Sequence, residues 1–166
     1  MSEPNRNVVH TEVMEIRATP AQVREFILTP ERILDYFPEP LDGGVLEPGK
    51  AIYCRGAMVI SMLELLEAES SDELVVIKVT TALGLEAPYT RERIEANGTF
   101  TMIEDWALAS TAFGTTLTKT WRDVESAGPE PFPLADAVRE GAIHESAKLI
   151  AGWNEAADSG PDRPRV

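Results

Sequence analysis

Two stretches of this chain alternate apolar and polar residues and carry a charge in the apolar phase. Phe100, Met102, Glu104, Trp106 and Leu108 share one phase, and Leu117, Lys119 and Trp121 share another. A period of two places each set on one face of a strand. The residues between them, Ala109 to Gly114, read as the loop of a hairpin. With Ala109 opposite Gly114, Glu104 faces Lys119, Trp106 faces Leu117 and Met102 faces Trp121. Charges within an apolar face are costly unless they pair and find hydrogen bonds. Three roles are open to such a pair. It could anchor the polar end of a ligand, Glu104 could accept a proton, or the two could form a partly wet pair at the sheet rim. The faces depend on register, because a slip of one residue inverts them.

Other reactive side chains are few. His10 lies in phase with Met14 and Ile16 and is, with Glu104, a candidate acid or base. His144 projects to the outer side of a helix beside Lys148. Glu145 falls at the edge of that helix's apolar stripe, where carboxylates are usually solvated. Tyr53, Tyr89 and Trp106 combine an apolar ring with a polar tip and are candidates to orient a ligand. Cys54 reads as a small strand residue. Two histidines and one cysteine, far apart, lack metal-ligand spacing. There is no Gly-rich phosphate loop after a strand and no nucleophile elbow, so the sequence calls for neither metal nor cofactor.

The elements that must position these residues are punctuated clearly. A strand-like run from Val8 to Ala18 leads into Thr19-Pro20-Ala21-Gln22, a capping box with proline at the first helical position. Thr29-Pro30 starts a second short helix carrying Ile33, Leu34 and Phe37. Strands are expected within Asp42 to Lys50, over Ala51 to Arg55, Met58 to Ala68 and Glu73 to Ala82, before the hairpin. Val75, Ile77 and Val79 share one face. Leu83 to Gly98 has no clean period and reads as a mobile loop at a cavity mouth.

A long helix from about Leu134 to Ala157 closes the chain. Its inward stripe is Leu134, Val138, Ala142, Leu149, Trp153 and Ala156, flanked by Gly141, Ser146 and Gly152. Glycine inside a helix costs about 1 kcal/mol relative to alanine. The small residues therefore mark either close backbone packing or space kept empty for a ligand.

The chain has 166 residues, is 43% hydrophobic and carries a formal net charge of -13. The length favours a single domain, expected over 7–157 with tails at 1–6 and 158–166. The acidity argues against nucleic acid and anionic membrane surfaces. No stretch approaches a membrane span, no signal peptide is evident, and one cysteine suits a reducing, cytoplasmic setting. A monomer or a homodimer is expected.

The order of elements, with Ile16-Arg17-Ala18-Thr19-Pro20-Ala21-Gln22-Val23, Thr29-Pro30-Glu31-Arg32-Ile33, Gly43-Gly44, Glu47-Pro48-Gly49 and Gly114-Thr115-Thr116-Leu117-Thr118, resembles the START/Bet v 1-like (SRPBCC) superfamily. The resemblance spans roughly Val8 to Ala157. It implies an α+β helix-grip fold, an antiparallel sheet wrapped around a long C-terminal helix, with two short helices after the first strand. It also implies a deep cavity for a hydrophobic or amphipathic small molecule such as a lipid, polyketide or isoprenoid. The superfamily also contains polyketide cyclases and co-chaperone activators, so a cyclase or dehydratase-type enzyme and a protein-binding module are alternatives. The expected ligand contacts are Tyr53, Tyr89, Met102, Glu104, Trp106, Lys119, Trp121, Ala142, Ser146, Leu149 and Trp153.

Overall fold

The computed structural model describes residues 7–29, 39–40, 45–55 and 59–159. The second short helix expected from Thr29-Pro30 falls mainly outside these residues, as do the segments 1–6 and 160–166 of the expected tails.

Strand β1 (Val8–Ile16) leads into helix α1 (Pro20–Leu28). The capping box forms as expected. Thr19 Oγ1 accepts from Gln22 N at 3.2 Å, and Gln22 Oε1 accepts from Thr19 N at 2.8 Å. Strands β2 (Glu39–Pro40), β3 (Ile52–Arg55), β4 (Val59–Leu65) and β5 (Leu74–Leu83) follow. The chain then passes through helix α2 (Arg91–Ala96), the hairpin β6 (Phe100–Thr111) and β7 (Gly114–Ser126), and helix α3 (Leu134–Ser159). All pairings are antiparallel, and the sheet runs β1-β7-β6-β5-β4-β3-β2. This is the α+β helix-grip arrangement, with α1 and α3 against one face of the sheet.

Alternation along the strands divides the sheet into two faces. Val75, Ile77 and Val79 of β5 point to the inner face, where they join Ile16, Trp106, Leu149 and Trp153. Trp153 lies between Phe26 and Trp106, with ring centroids 5.5 Å and 6.0 Å away. On the outer face, Ile60, Met62 and Ala82 form a smaller cluster closed by Ile94 of α2. Arg122 also lies on the outer side and grips Asp105 through two bonds of 2.6 and 3.1 Å.

Three sequence expectations change. Leu83 to Gly98 is only partly loop: residues 84–90 are irregular, whereas Arg91–Ala96 form α2 on the outer face of the sheet. Thr90 caps α2, accepting from Arg93 N at 3.2 Å, and buried Ile94 pins the helix to the outer face of the sheet. A six-residue helix is too short to display a period. The segment around Glu47 is a tight turn with one isolated bridge, Glu47 to Lys50. The hairpin is also tighter than expected, with Thr111 opposite Gly114 and only two residues between them. The register therefore differs by two from the assumed one. An even shift keeps every face and changes every partner.

Helix α3 is fixed at one end. Buried Asn154 accepts from Arg17 N at 2.7 Å and donates to Glu15 O at 3.1 Å. Arg17 also holds Asp158, so the helix continues past the expected Ala157. Leu149 and Trp153 fill the space beneath this half.

Gly114 is where the hairpin meets the end of β1. Its φ is +148°, and a Cβ there would fall on the Ile16 carbonyl oxygen. Backbone cannot yield as a flexible side chain can. Gly114→Ala should therefore destabilise the fold by about 3 kcal/mol or more, read as a lower urea midpoint at unchanged slope.

Candidate functional site

The true register arranges the hairpin as a checkerboard. Glu104 lies directly opposite Trp121, and Trp106 lies directly opposite Lys119. Glu104 and Lys119 are therefore diagonal neighbours, and an indole flanks the ammonium on either side. Lys119 Nζ is 3.9 Å from the Trp106 ring centroid and 4.3 Å from that of Trp121. Ring faces attract cations, and more strongly out of water. Nζ lies 3.4 Å from Glu104 Oε1 and 3.5 Å from Glu145 Oε2.

The ion pair is deeply buried. Lys119 is 1% exposed and Glu104 is 2% exposed. This settles against the partly wet rim pair. Glu104 Oε2 and Ser146 Oγ are buried and have no hydrogen-bond partner among the described residues.

Glu145 corrects the expectation of a solvated carboxylate. It turns inward from α3 to share Lys119 with Glu104, and its side chain is 21% exposed. Burial pushes its carboxyl up to about 7. Lys119 opposes that shift, and the Glu104 carboxylate adds to it. One ammonium serves two carboxyls in a poorly solvated place, so the second is driven toward its neutral form. Being near the balance point at neutral pH suits proton donation and acceptance alike.

A cavity of about 270 Å³ opens between the sheet and the N-terminal half of α3. Val59, Val79, Phe100 and Met102 form its sheet-side wall, with Trp121 beside Glu145. Leu134, Ala137, Val138, Gly141 and Ala142 form its helix wall, and exposed Phe132 stands at its rim. Two polar points interrupt the lining. One is the Glu145 carboxyl. The other is the Ser61 and Thr81 hydroxyls, which lie opposite each other on β4 and β5 and hydrogen-bond at 3.2 Å.

The expected ligand contacts divide into groups. Met102, Trp121 and Ala142 line the cavity. Glu104 and Lys119 lie behind Glu145. Trp106, Leu149 and Trp153 belong to the packed core, and Ser146 is buried on α3. Tyr53 and Tyr89 pack on the outer face with the cluster around Ile94, away from this cavity. The cause is alternation. Tyr53 is one residue out of phase with the inward-facing Ile52 and Cys54. His10 pairs with Glu12 on β1, its ring 5.8 Å from Trp121. Sequence reasoning missed Ser61 and Thr81, although Thr81 continues the Val75-Ile77-Val79 phase. Among the described residues, no group of three His, Cys, Asp or Glu side chains could hold a metal ion. No described helix is long and apolar enough to cross a membrane.

No protein-family profile and no curated protein sequence matches the chain. Solved structures do match its fold. An uncharacterised protein from Rhizobium leguminosarum superposes with a TM-score of 0.68 at 14% identity, over 91% of this chain and 96% of that one. DynU16, from the dynemicin biosynthetic locus, gives 0.59 at 14% identity over 90% of this chain. This chain spans 47% of DynU16. The Aha1 dimer from Colwellia psychrerythraea gives 0.55 at 12% identity, over 87% of this chain and 94% of that one. At these identities the likeness establishes the fold alone.

Glu145 makes stability depend on pH with a definite sign. Its folded value of about 7 lies above the ordinary 4.5, so the folded state holds the proton more tightly. That contribution is full below about pH 4.5 and is lost as pH rises through about 7. Glu145→Gln should remove the loss. Relative to wild type, the variant should gain stability on the order of 2 kcal/mol between those limits, measured by urea unfolding across a pH series.

Proposed function

We propose that the protein binds an apolar or amphipathic small molecule, of the lipid, polyketide or isoprenoid kind, between the sheet and the N-terminal half of α3. The observation that carries this is the cavity of about 270 Å³, lined mainly by apolar side chains with two polar points. Its volume is just below the roughly 300–1,000 Å³ of sites for drug-sized ligands. Gly141 is an exposed residue of α3 that lines this space, and a Cβ there would meet nothing within 4 Å. A larger residue would be a better helix former and has room at this position.

The helix-grip fold supports this function, as does the resemblance to the START/Bet v 1-like superfamily.

Glu145 favours a second reading, an acid–base enzyme of the cyclase or dehydratase kind. Of the two carboxyls paired with Lys119, those of Glu104 and Glu145, only Glu145 lines the cavity. It would be the proton-moving group in place of Glu104 or His10.

Gly141→Leu tests the binding function. The leucine should fill the cavity and raise stability by about 1 kcal/mol through helix propensity. Native mass spectrometry of freshly purified protein should show an extra mass that is lost on denaturation. The same mass should be absent from the variant. A bound mass retained by Gly141→Leu would place the ligand elsewhere.

A further inference from the structure

Among the described residues, Glu145 is the one ionisable side chain lining the cavity. The cation paired with it, Lys119, is 1% exposed, lies between two indoles and already faces Glu104 and Glu145. A ligand in the cavity therefore meets a carboxyl and not an ammonium. A ligand carboxylate there would add a negative charge beside two carboxyls that share a single cation, which buried sites strongly disfavour. An uncharged oxygen acceptor would instead meet a hydrogen-bond donor whenever Glu145 holds its proton.

We propose that Glu145 recognises the ligand as an uncharged carboxylic acid, donating a hydrogen bond to a carbonyl oxygen, so that the cavity takes neutral carbonyl compounds and rejects carboxylates. This rests on the cavity being the ligand site and narrows its ligand class to neutral ketones, esters and polyketide-like carbonyls, excluding free fatty acids. The Ser61 and Thr81 hydroxyls supply a second polar point from β4 and β5 for a ligand with oxygen at both ends.

The groups around Glu145 bear on its protonation from every side. β6 contributes Glu104 and β7 contributes Lys119. β1 contributes Glu12, opposite Lys119, and His10, opposite Trp121. β4 and β5 line the cavity with Val59, Ser61, Val79 and Thr81, none of which titrates in the physiological range. On α3, His144 and Lys148 are exposed. At the start of α3, Glu130 is engaged with Leu134 N. Burial is the main influence favouring the proton on Glu145, Lys119 opposes it, and the Glu104 carboxylate adds to it.

The test uses methyl naphthyl ketone and naphthoate, two probes of similar size that differ in charge, titrated calorimetrically across a pH series. The ketone should bind wild-type protein best in mild acid. Its dissociation constant should rise by about tenfold per pH unit above about pH 7. Naphthoate should bind at least about tenfold more weakly than the ketone throughout. Glu145→Gln keeps a donor but cannot ionise, so it should bind the ketone without this pH dependence. Naphthoate binding that equals or exceeds ketone binding would overturn the proposal. If Gly141→Leu abolished that binding, the cavity would still be the ligand site. A pH dependence that persists in Glu145→Gln would transfer the titration to another group and would also overturn it. If neither probe binds either protein, this proposal and the cavity function fall together. The comparison of the two probes on wild-type protein stands even if the variant folds poorly.

Discussion

A buried ammonium must find negative charge, and the placement of Lys119 governs much of what surrounds it. The ion is 1% exposed. Its desolvation is offset by Glu104 on the neighbouring strand, by Glu145 on the terminal helix and by the faces of Trp106 and Trp121. Buried ion pairs contribute little net stability but are costly to break, because removing one partner strands the other. The cluster therefore constrains the hairpin register and the rotation of α3 together. A slip of one residue would turn Lys119 and Glu104 to opposite faces of the sheet, and a rotated helix would carry Glu145 away.

The terminal helix does two different jobs along its length. Its C-terminal half is fixed by Asn154 and Arg17 and sealed by Leu149 and Trp153. Its N-terminal half presents Ala137, Gly141 and Ala142 to a cavity. Glu145 lies at the junction, where packed core gives way to open space. That position explains its chemistry, since it is buried enough to resist ionising and still reaches the cavity.

Much of this could be read in the sequence because it is written in local periods. The capping box at Thr19, the inward faces of β5, β6 and β7, and the α3 stripe depend only on alternation or on turns of a helix. Pairing between strands is a different matter. The hairpin register was displaced by two because the turn is set by two residues, Ala112 and Phe113, and alternation alone does not fix loop length. The helical stripe alone leaves Glu145 at a solvated edge, because its inward turn depends on a charge from another element. The residue types of Tyr53 and Tyr89 suit ligand contact, but the phase of β3 turns Tyr53 outward and both pack on the outer face. Helix α2 was invisible because it is only six residues long, anchored by Ile94 alone among its buried residues.

The central physical claim is that one buried ammonium cannot keep both of its carboxyl neighbours ionised at neutral pH. Titration of the Glu145 side-chain carboxyl carbon by NMR tests this most directly. A midpoint at about 7 is expected, well above the ordinary 4.5. A midpoint in the ordinary carboxylate range would contradict the account, because Glu145 would then be ionised at neutral pH and could not act as a hydrogen-bond donor in the cavity.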